Sequence, residues 1–227
     1  MIETLRFGDA GTLPSSPPLT PEVWAVHGLA GHAPVLGEDE RQRAAALRQE
    51  ADRTVYIAVH TALRILTGAY LQQDPATLRF HREDCPGCGG PHGRPALPGN
   101  PLHFSLSHTK RLALLAFAPA PVGVDIEPLP AADVMADVAA ALHPSEREEL
   151  ARLPEPRRPS AFARCWTRKE AVLKGTGEGI AGDGLVRTVV GTGPDPRPVP
   201  GWRIEDITAP AGYAAALAVA APGPEPG

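Results

Sequence analysis

Apolar residues recur at Leu47, Ala51, Val55, Ala58, Ala62, Ile65 and Ala69, in steps of three and four. That period predicts an amphipathic helix, or two consecutive ones, across 38–70, a stretch without proline. From Leu102 the period drops to two. Leu102, Phe104 and Leu106 alternate with His103, Ser105 and Ser107, the pattern of a half-buried strand. Residues 112–118 are continuously apolar, as in a central strand. Val122, Val124 and Ile126 then alternate with Gly123, Asp125 and Glu127, again with period two.

The second half repeats the style. Ser145 and Glu148 spell a capping box that opens a short helix. Pro159 suits the first turn of the next helix and Gly175 its C-terminal cap. Strands are expected at 185–190, Trp202–Ile207 and Tyr213–Ala220. Helical segments followed by strands in each half give an α+β chain of two halves meeting near residues 119–122. Pro14, Pro17, Pro18 and Pro21 predict an extended leader with a short edge strand around 23–26. Pro222, Pro224 and Pro226 predict a disordered tail over 222–227.

Composition narrows the function classes. With 22 basic and 26 acidic residues among 227, the formal charge is −4, which argues against a general binder of nucleic acid or anionic membrane. No apolar run approaches the ~18–20 residues that span a bilayer. The opening MIETLRFGDAG has no basic stretch followed by an apolar core, so a cytoplasmic protein is expected. Three cysteines do not make a disulfide framework.

Three segments carry chemistry. In GVDIE, Asp125 and Glu127 share one strand face, about 7 Å apart at ~3.3 Å per residue. Paired carboxylates raise each other's pKa unless a cation sits between them, and hard oxygen donors suit magnesium. In CWTRKEAVLKGTGEG, Phe162, Trp166, Glu170 and Lys174 form an i, i+4 row. Phe162, Trp166 and Leu173 define its buried stripe and put Glu170 at the border. Read alone, this is an ordinary helical Glu–Lys pair. In FSLSHT, Ser107 and His108 end a strand. Neighbours on a strand point to opposite faces, so they do not form a nucleophile–base pair, but each can donate to phosphate oxygens.

The order S-H, G-x-D-x-E, W-x-x-K-E-A-x-x-K resembles the phosphopantetheinyl transferases, in particular their long, monomeric, Sfp-like type. The resemblance covers roughly 38–220 and includes EADRT at 50–54 and GRP at 93–95. It implies two pseudo-symmetric subdomains, 1–121 and 122–221, each of helices on a small, mainly antiparallel sheet, with the active site in a cleft between them. It also implies transfer of the 4′-phosphopantetheine arm of coenzyme A to a serine of an apo acyl or peptidyl carrier protein, with release of adenosine 3′,5′-bisphosphate. By the same resemblance, Asp125, Glu127 and Glu170 match the magnesium ligands, and Glu170 also the base for the attacking serine. Lys174 matches the lysine on the pyrophosphate. Ser107 and His108 match phosphate contacts, Arg53 and Thr54 a pair near the 3′-phosphate, and Arg94 a cation beside the adenine nucleotide. The resemblance further implies a monomer.

One departure concerns the segment before the first helix. Its relatives carry basic residues there for the 3′-phosphate, and this chain has GEDERQR, leaving Arg41 as the substitute. Arg157, Arg158, Arg164 and Arg168 are candidates for steering an acidic carrier protein. Lys169 points elsewhere on its helix and is assigned a structural role. His81, Cys85, Cys88 and His92 have the spacing of a structural zinc site, with a plain surface loop as the alternative reading. Cys165 reads as a core residue. A magnesium-dependent phosphodiesterase or nuclease would use similar carboxylates, but its arginines should form a track for the polymer, and here they are scattered. A non-catalytic nucleotide-binding scaffold would not require all three acids.

Overall fold

The computed structural model of the chain describes residues 2–6, 13–27, 35–179 and 183–222. Beyond Pro222 the expected tail lies outside the described residues. The chain divides into two units, one drawn from Met1–His81 and Pro95–Pro119, the other from Arg82–Arg94 and Ala120–Gly227. Both pack helices on a small sheet, and the fold is α+β.

The first unit begins with β1 (Ile2–Arg6) and β2 (Glu22–His27), followed by α1 (Glu38–Ala46) and α2 (Glu50–Leu71). The two-residue strands β3 (His81–Arg82) and β4 (Pro95–Ala96) precede β5 (His103–His108) and β6 (Ala113–Ala118). The sheet order is β1-β2-β6-β5. Only β1 and β2 run parallel; β2 with β6 and β5 with β6 are antiparallel. The proposed edge strand near 23–26 is therefore an interior one, flanked on both sides. Its prolines all precede it, so no ladder N–H is lost.

The helical period is realised as two helices. Glu40 of α1 accepts the Gly37 N–H at 2.8 Å and the Arg64 guanidinium of α2 at 2.5 Å, fixing the junction. The α2 stripe of Val55, Val59, Ala62, Leu63, Leu66 and Tyr70 packs on Trp24, Val26, Phe104, Leu115 and Phe117 of the sheet. The Trp24 indole donates to the Tyr70 hydroxyl at 2.8 Å, so burying both rings leaves no stranded polar atom there.

The second unit holds β7 (Val122–Pro128), α3 (Ala132–Val138), α4 (Pro144–Arg152), α5 (Arg158–Thr176), α6 (Gly184–Arg187), β8 (Trp202–Ile207) and β9 (Tyr213–Ala220). Its antiparallel sheet has the order β7-β9-β8. Helix α5 lies on that sheet, with Phe162, Cys165, Ala171 and Val172 against Ile204, Ala216 and Ala218. Among the described residues no helix is long and apolar enough to cross a membrane.

Three sequence expectations fail here for local reasons. Helix α4 is capped by His143 and Glu146, not by Ser145 and Glu148. The His143 N–H donates to Glu146 Oε2 at 3.2 Å, and the His143 ring accepts the Ser145 N–H at 3.2 Å. Helix α5 runs past Gly175 and ends at Gly177, whose φ of +85° is the left-handed cap conformation. Segment 185–190 is not a strand. Its first residues form α6, and the Leu185 and Thr188 carbonyls bond the Lys169 ammonium rather than a sheet neighbour.

Candidate active site

Gly123 decides how closely β7 and α5 approach. A Cβ at that position would collide with the Ala171 carbonyl oxygen and lie 2.6 Å from the Gly175 N. Gly175 in turn has the Trp202 ring against it, with 2.6 Å between a built Cβ and the ring edge. Backbone thus meets backbone, as a glycine inside a strand pattern signals. Residues two and four further along β7 share the Gly123 face. They are Asp125 and Glu127. On α5, Glu170 immediately precedes Ala171, and Lys174 follows it by about one turn.

The result is a cluster of three carboxylates and one ammonium. Lys174 Nζ donates to Asp125 Oδ1 at 2.6 Å and also reaches the Val124 carbonyl at 3.4 Å. Asp125 is buried, Glu170 nearly so, and Glu127 half-buried. Burial, and then the charge of Asp125, push the Glu127 carboxyl up to about 7 against the pull of Lys174. Burial, Asp125 and, less strongly, Glu127 push Glu170 up to about 7, again opposed by Lys174. Carboxyls raised by burial together with neighbouring charge are one mark of a functional site. The donor set is all hard oxygen with more negative than positive charge, which fits a divalent cation such as magnesium.

Arg94 belongs to the same unit. Its guanidinium donates to Glu83 at 2.6 Å and to the Gly175 carbonyl at 3.2 Å, so it is fixed at the C-terminal end of α5. The remaining predicted residues lie in the first unit. Ser107 is buried and His108 exposed on β5, in keeping with their opposite faces. Thr54 Oγ1 donates to the Glu50 carbonyl at 2.9 Å, the ordinary back-bond of a helical threonine. The Arg53 Nε is buried without a hydrogen-bond partner. Arg41 is exposed and donates to Glu38 at 2.8 Å and to the Leu36 carbonyl.

Three of the four arginines considered for steering a carrier protein have donors engaged within the unit. Arg168 is fully buried and has no free face for a carrier protein. It grips Asp206 at 2.6 Å and the carbonyls of Gly191, Gly193 and Pro194. Arg164 and Arg158 likewise spend donors on carbonyls, of Thr192 and Leu153. Only Arg157 of the four is exposed. Lys169 is structural in a stronger sense than the sequence indicates: it forms a fully buried ion pair with Glu146 at 2.6 Å. Glu146 also accepts the N–H groups of Val190 and Gly191. Sequence reasoning missed Glu146 and Trp202, and it took Gly123 as a motif position without the close strand–helix contact that it permits.

The profile of the 4′-phosphopantetheinyl transferase superfamily matches residues 121–217, the segment that holds Asp125, Glu127, Glu170 and Lys174. The 4′-phosphopantetheinyl transferase HetI of Nostoc sp. (strain PCC 7120 / SAG 25.82 / UTEX 2576) is 32% identical over 203 residues, 86% of this chain and 82% of that protein. The chain belongs to the 4′-phosphopantetheinyl transferase superfamily. It is therefore an enzyme of a transferase family. Two further relatives match over shorter lengths. Sfp of Bacillus subtilis (strain 168) is 26% identical over 136 residues, 59% of this chain and 56% of Sfp. AcpT of Salmonella typhi is 42% identical over 92 residues, 39% of this chain and 47% of AcpT.

Proposed function

We propose that this phosphopantetheinyl transferase moves the 4′-phosphopantetheine arm of coenzyme A to the serine hydroxyl of an apo acyl or peptidyl carrier protein, in polyketide, nonribosomal peptide or fatty-acid synthesis. The observation that carries this reading is the meeting of Asp125, Glu127, Glu170 and Lys174 across β7 and α5. Asp125, Glu127 and Glu170 would hold magnesium. When bound, the ion neutralises charge on the pyrophosphate and on the leaving phosphate.

The chain's own groups do the rest. Glu170, whose carboxyl is pushed up to about 7, is assigned to take the serine proton as the hydroxyl oxygen bonds to phosphorus. The bond from that phosphorus to the bridging oxygen breaks, and adenosine 3′,5′-bisphosphate leaves. Lys174 supplies fixed positive charge to the pyrophosphate. Arg94 is assigned to the adenine nucleotide. Arg41, Arg53, Thr54, Ser107 and His108 are assigned to the phosphates, with Arg41 in place of the basic residues absent from GEDERQR. The enzyme is taken to act as a cytoplasmic monomer.

The test follows nucleotide release by chromatography. Adenosine 3′,5′-bisphosphate should form only when coenzyme A, magnesium and an apo carrier protein are all present. Release without a carrier protein, or cleavage of a nucleic acid, would overturn the reading.

A further inference from the structure

We propose that Cys85, Cys88 and His92 bind a zinc ion that fastens the loop carrying Arg94 to the end of α5. The three ligand atoms lie within 4.8 Å of one another, and among the described residues no other group of three meets that standard. Cys88 Sγ and His92 Nε2 are 2.9 Å apart. Two soft thiolates and an imidazole select zinc over the hard cation suited to the carboxylate cluster.

The backbone is folded around this point. Cys85 N–H donates to the Gly90 carbonyl at 2.7 Å, and Gly89 N–H returns to the Cys85 carbonyl at 2.7 Å. Gly89 has a φ of +71°, which the turn requires. The Cys85 sulfur accepts the N–H groups of Cys88 and Gly87, which orients it within the turn. A side chain on Gly90 would sit 3.4 Å from Cys88 Sγ and 3.3 Å from His92 Nε2, so the glycine leaves the ligand atoms room. His81 is not a member of the group, contrary to the four-ligand reading. It lies on β3, outside the group of three ligand atoms. The fourth tetrahedral position is left to water. On binding, the two thiols ionise and their protons pass to solvent.

The metal would have structural leverage. Immediately outside the turn, Gly93 N–H donates to the Glu83 carbonyl at 2.8 Å and Glu83 N–H to the Arg94 carbonyl at 3.1 Å. Arg94 then bonds the Gly175 carbonyl, and the Cys85 thiol faces the Glu178 carbonyl at 3.9 Å. Closing the turn with zinc would therefore hold Arg94 against Gly175, the residue that follows Lys174.

The experiment uses the full chain, reduced and reconstituted with zinc alone, then desalted. Elemental analysis should find about one zinc per chain. Cobalt in its place should give a thiolate charge-transfer band. Cys88→Ser and His92→Ala, both at exposed positions, should keep the native circular dichroism spectrum and weaken zinc binding at least tenfold. His81→Ala should bind as the wild type does. Zinc removal should speed amide exchange across 83–94. Failure of the reduced chain to take up zinc, or uptake that survives both substitutions, would overturn the proposal.

Discussion

Gly123 of β7 presses directly on the Ala171 carbonyl of α5, with no space for a β-carbon between them. This contact sets the separation between the strand bearing Asp125 and Glu127 and the helix bearing Glu170 and Lys174. Gly123→Ala should therefore push α5 off the sheet. Overpacking of this kind costs roughly 1–3 kcal/mol. A denaturant midpoint should record the loss, and turnover should fall further than stability does. Gly193→Ala, where a Cβ meets nothing within 4 Å, is the neutral control.

The carboxylates predict a pH dependence of known sign. Glu127 and Glu170 titrate at about 7 in the folded protein, against an ordinary 4.5. The folded state thus binds their protons more tightly. Stability from this source is complete below pH 4.5 and is lost as pH rises through 7. Melting temperatures of the metal-free protein should fall across that window. Magnesium should remove the fall, and the double substitution Glu127→Gln with Glu170→Gln should abolish it. Glu40 acts in a separate, acid window. Burial opposes its ionisation, but hydrogen bonds from His60, Gly37 and Arg64 outweigh burial and hold its carboxyl below the ordinary range. Its contribution is present above pH 4.5 and is lost as pH falls further.

The Glu146–Lys169 pair makes a different prediction. Both side chains are fully buried, so removing one leaves the other uncompensated. Lys169→Met should cost about 3–5 kcal/mol in a denaturant titration. Activity of whatever fraction stays folded should be little changed, because Lys169 faces the Leu185 and Thr188 carbonyls and not the carboxylate cluster.

Arg168 and Arg157 should separate stability from partner steering. Arg168→Ala strips Asp206 and three carbonyls of their donor and should lower the melting temperature. It should leave the salt dependence of carrier association as it was. Arg157→Ala should do the reverse, with weaker association at low salt and an unchanged melting temperature.

These residues also show what a sequence makes legible. Periodicity found α2, β5 and β7, and a continuous apolar run found β6, whose residues are all buried. The shared face of Asp125 and Glu127 followed from the same rule. Features that depend on partners distant in the chain did not show. Nothing near Arg168 signals that Asp206 and the 191–194 carbonyls enclose it. The apolar run at 185–190 has strand composition, but Lys169 takes the carbonyls a strand neighbour would need. Pro14 to Pro21 suggested an edge strand, and pairing with β1 and β6 placed it inside the sheet.

The most direct test of the central claim is the intact mass of an apo carrier protein after incubation with coenzyme A, magnesium and the enzyme. The wild type should add the mass of one phosphopantetheine group to the carrier serine. Glu170→Gln and Asp125→Asn, with unchanged circular dichroism, should be slower by orders of magnitude. Absence of the adduct on any of several carrier proteins, or near-normal rates in both variants, would contradict the account.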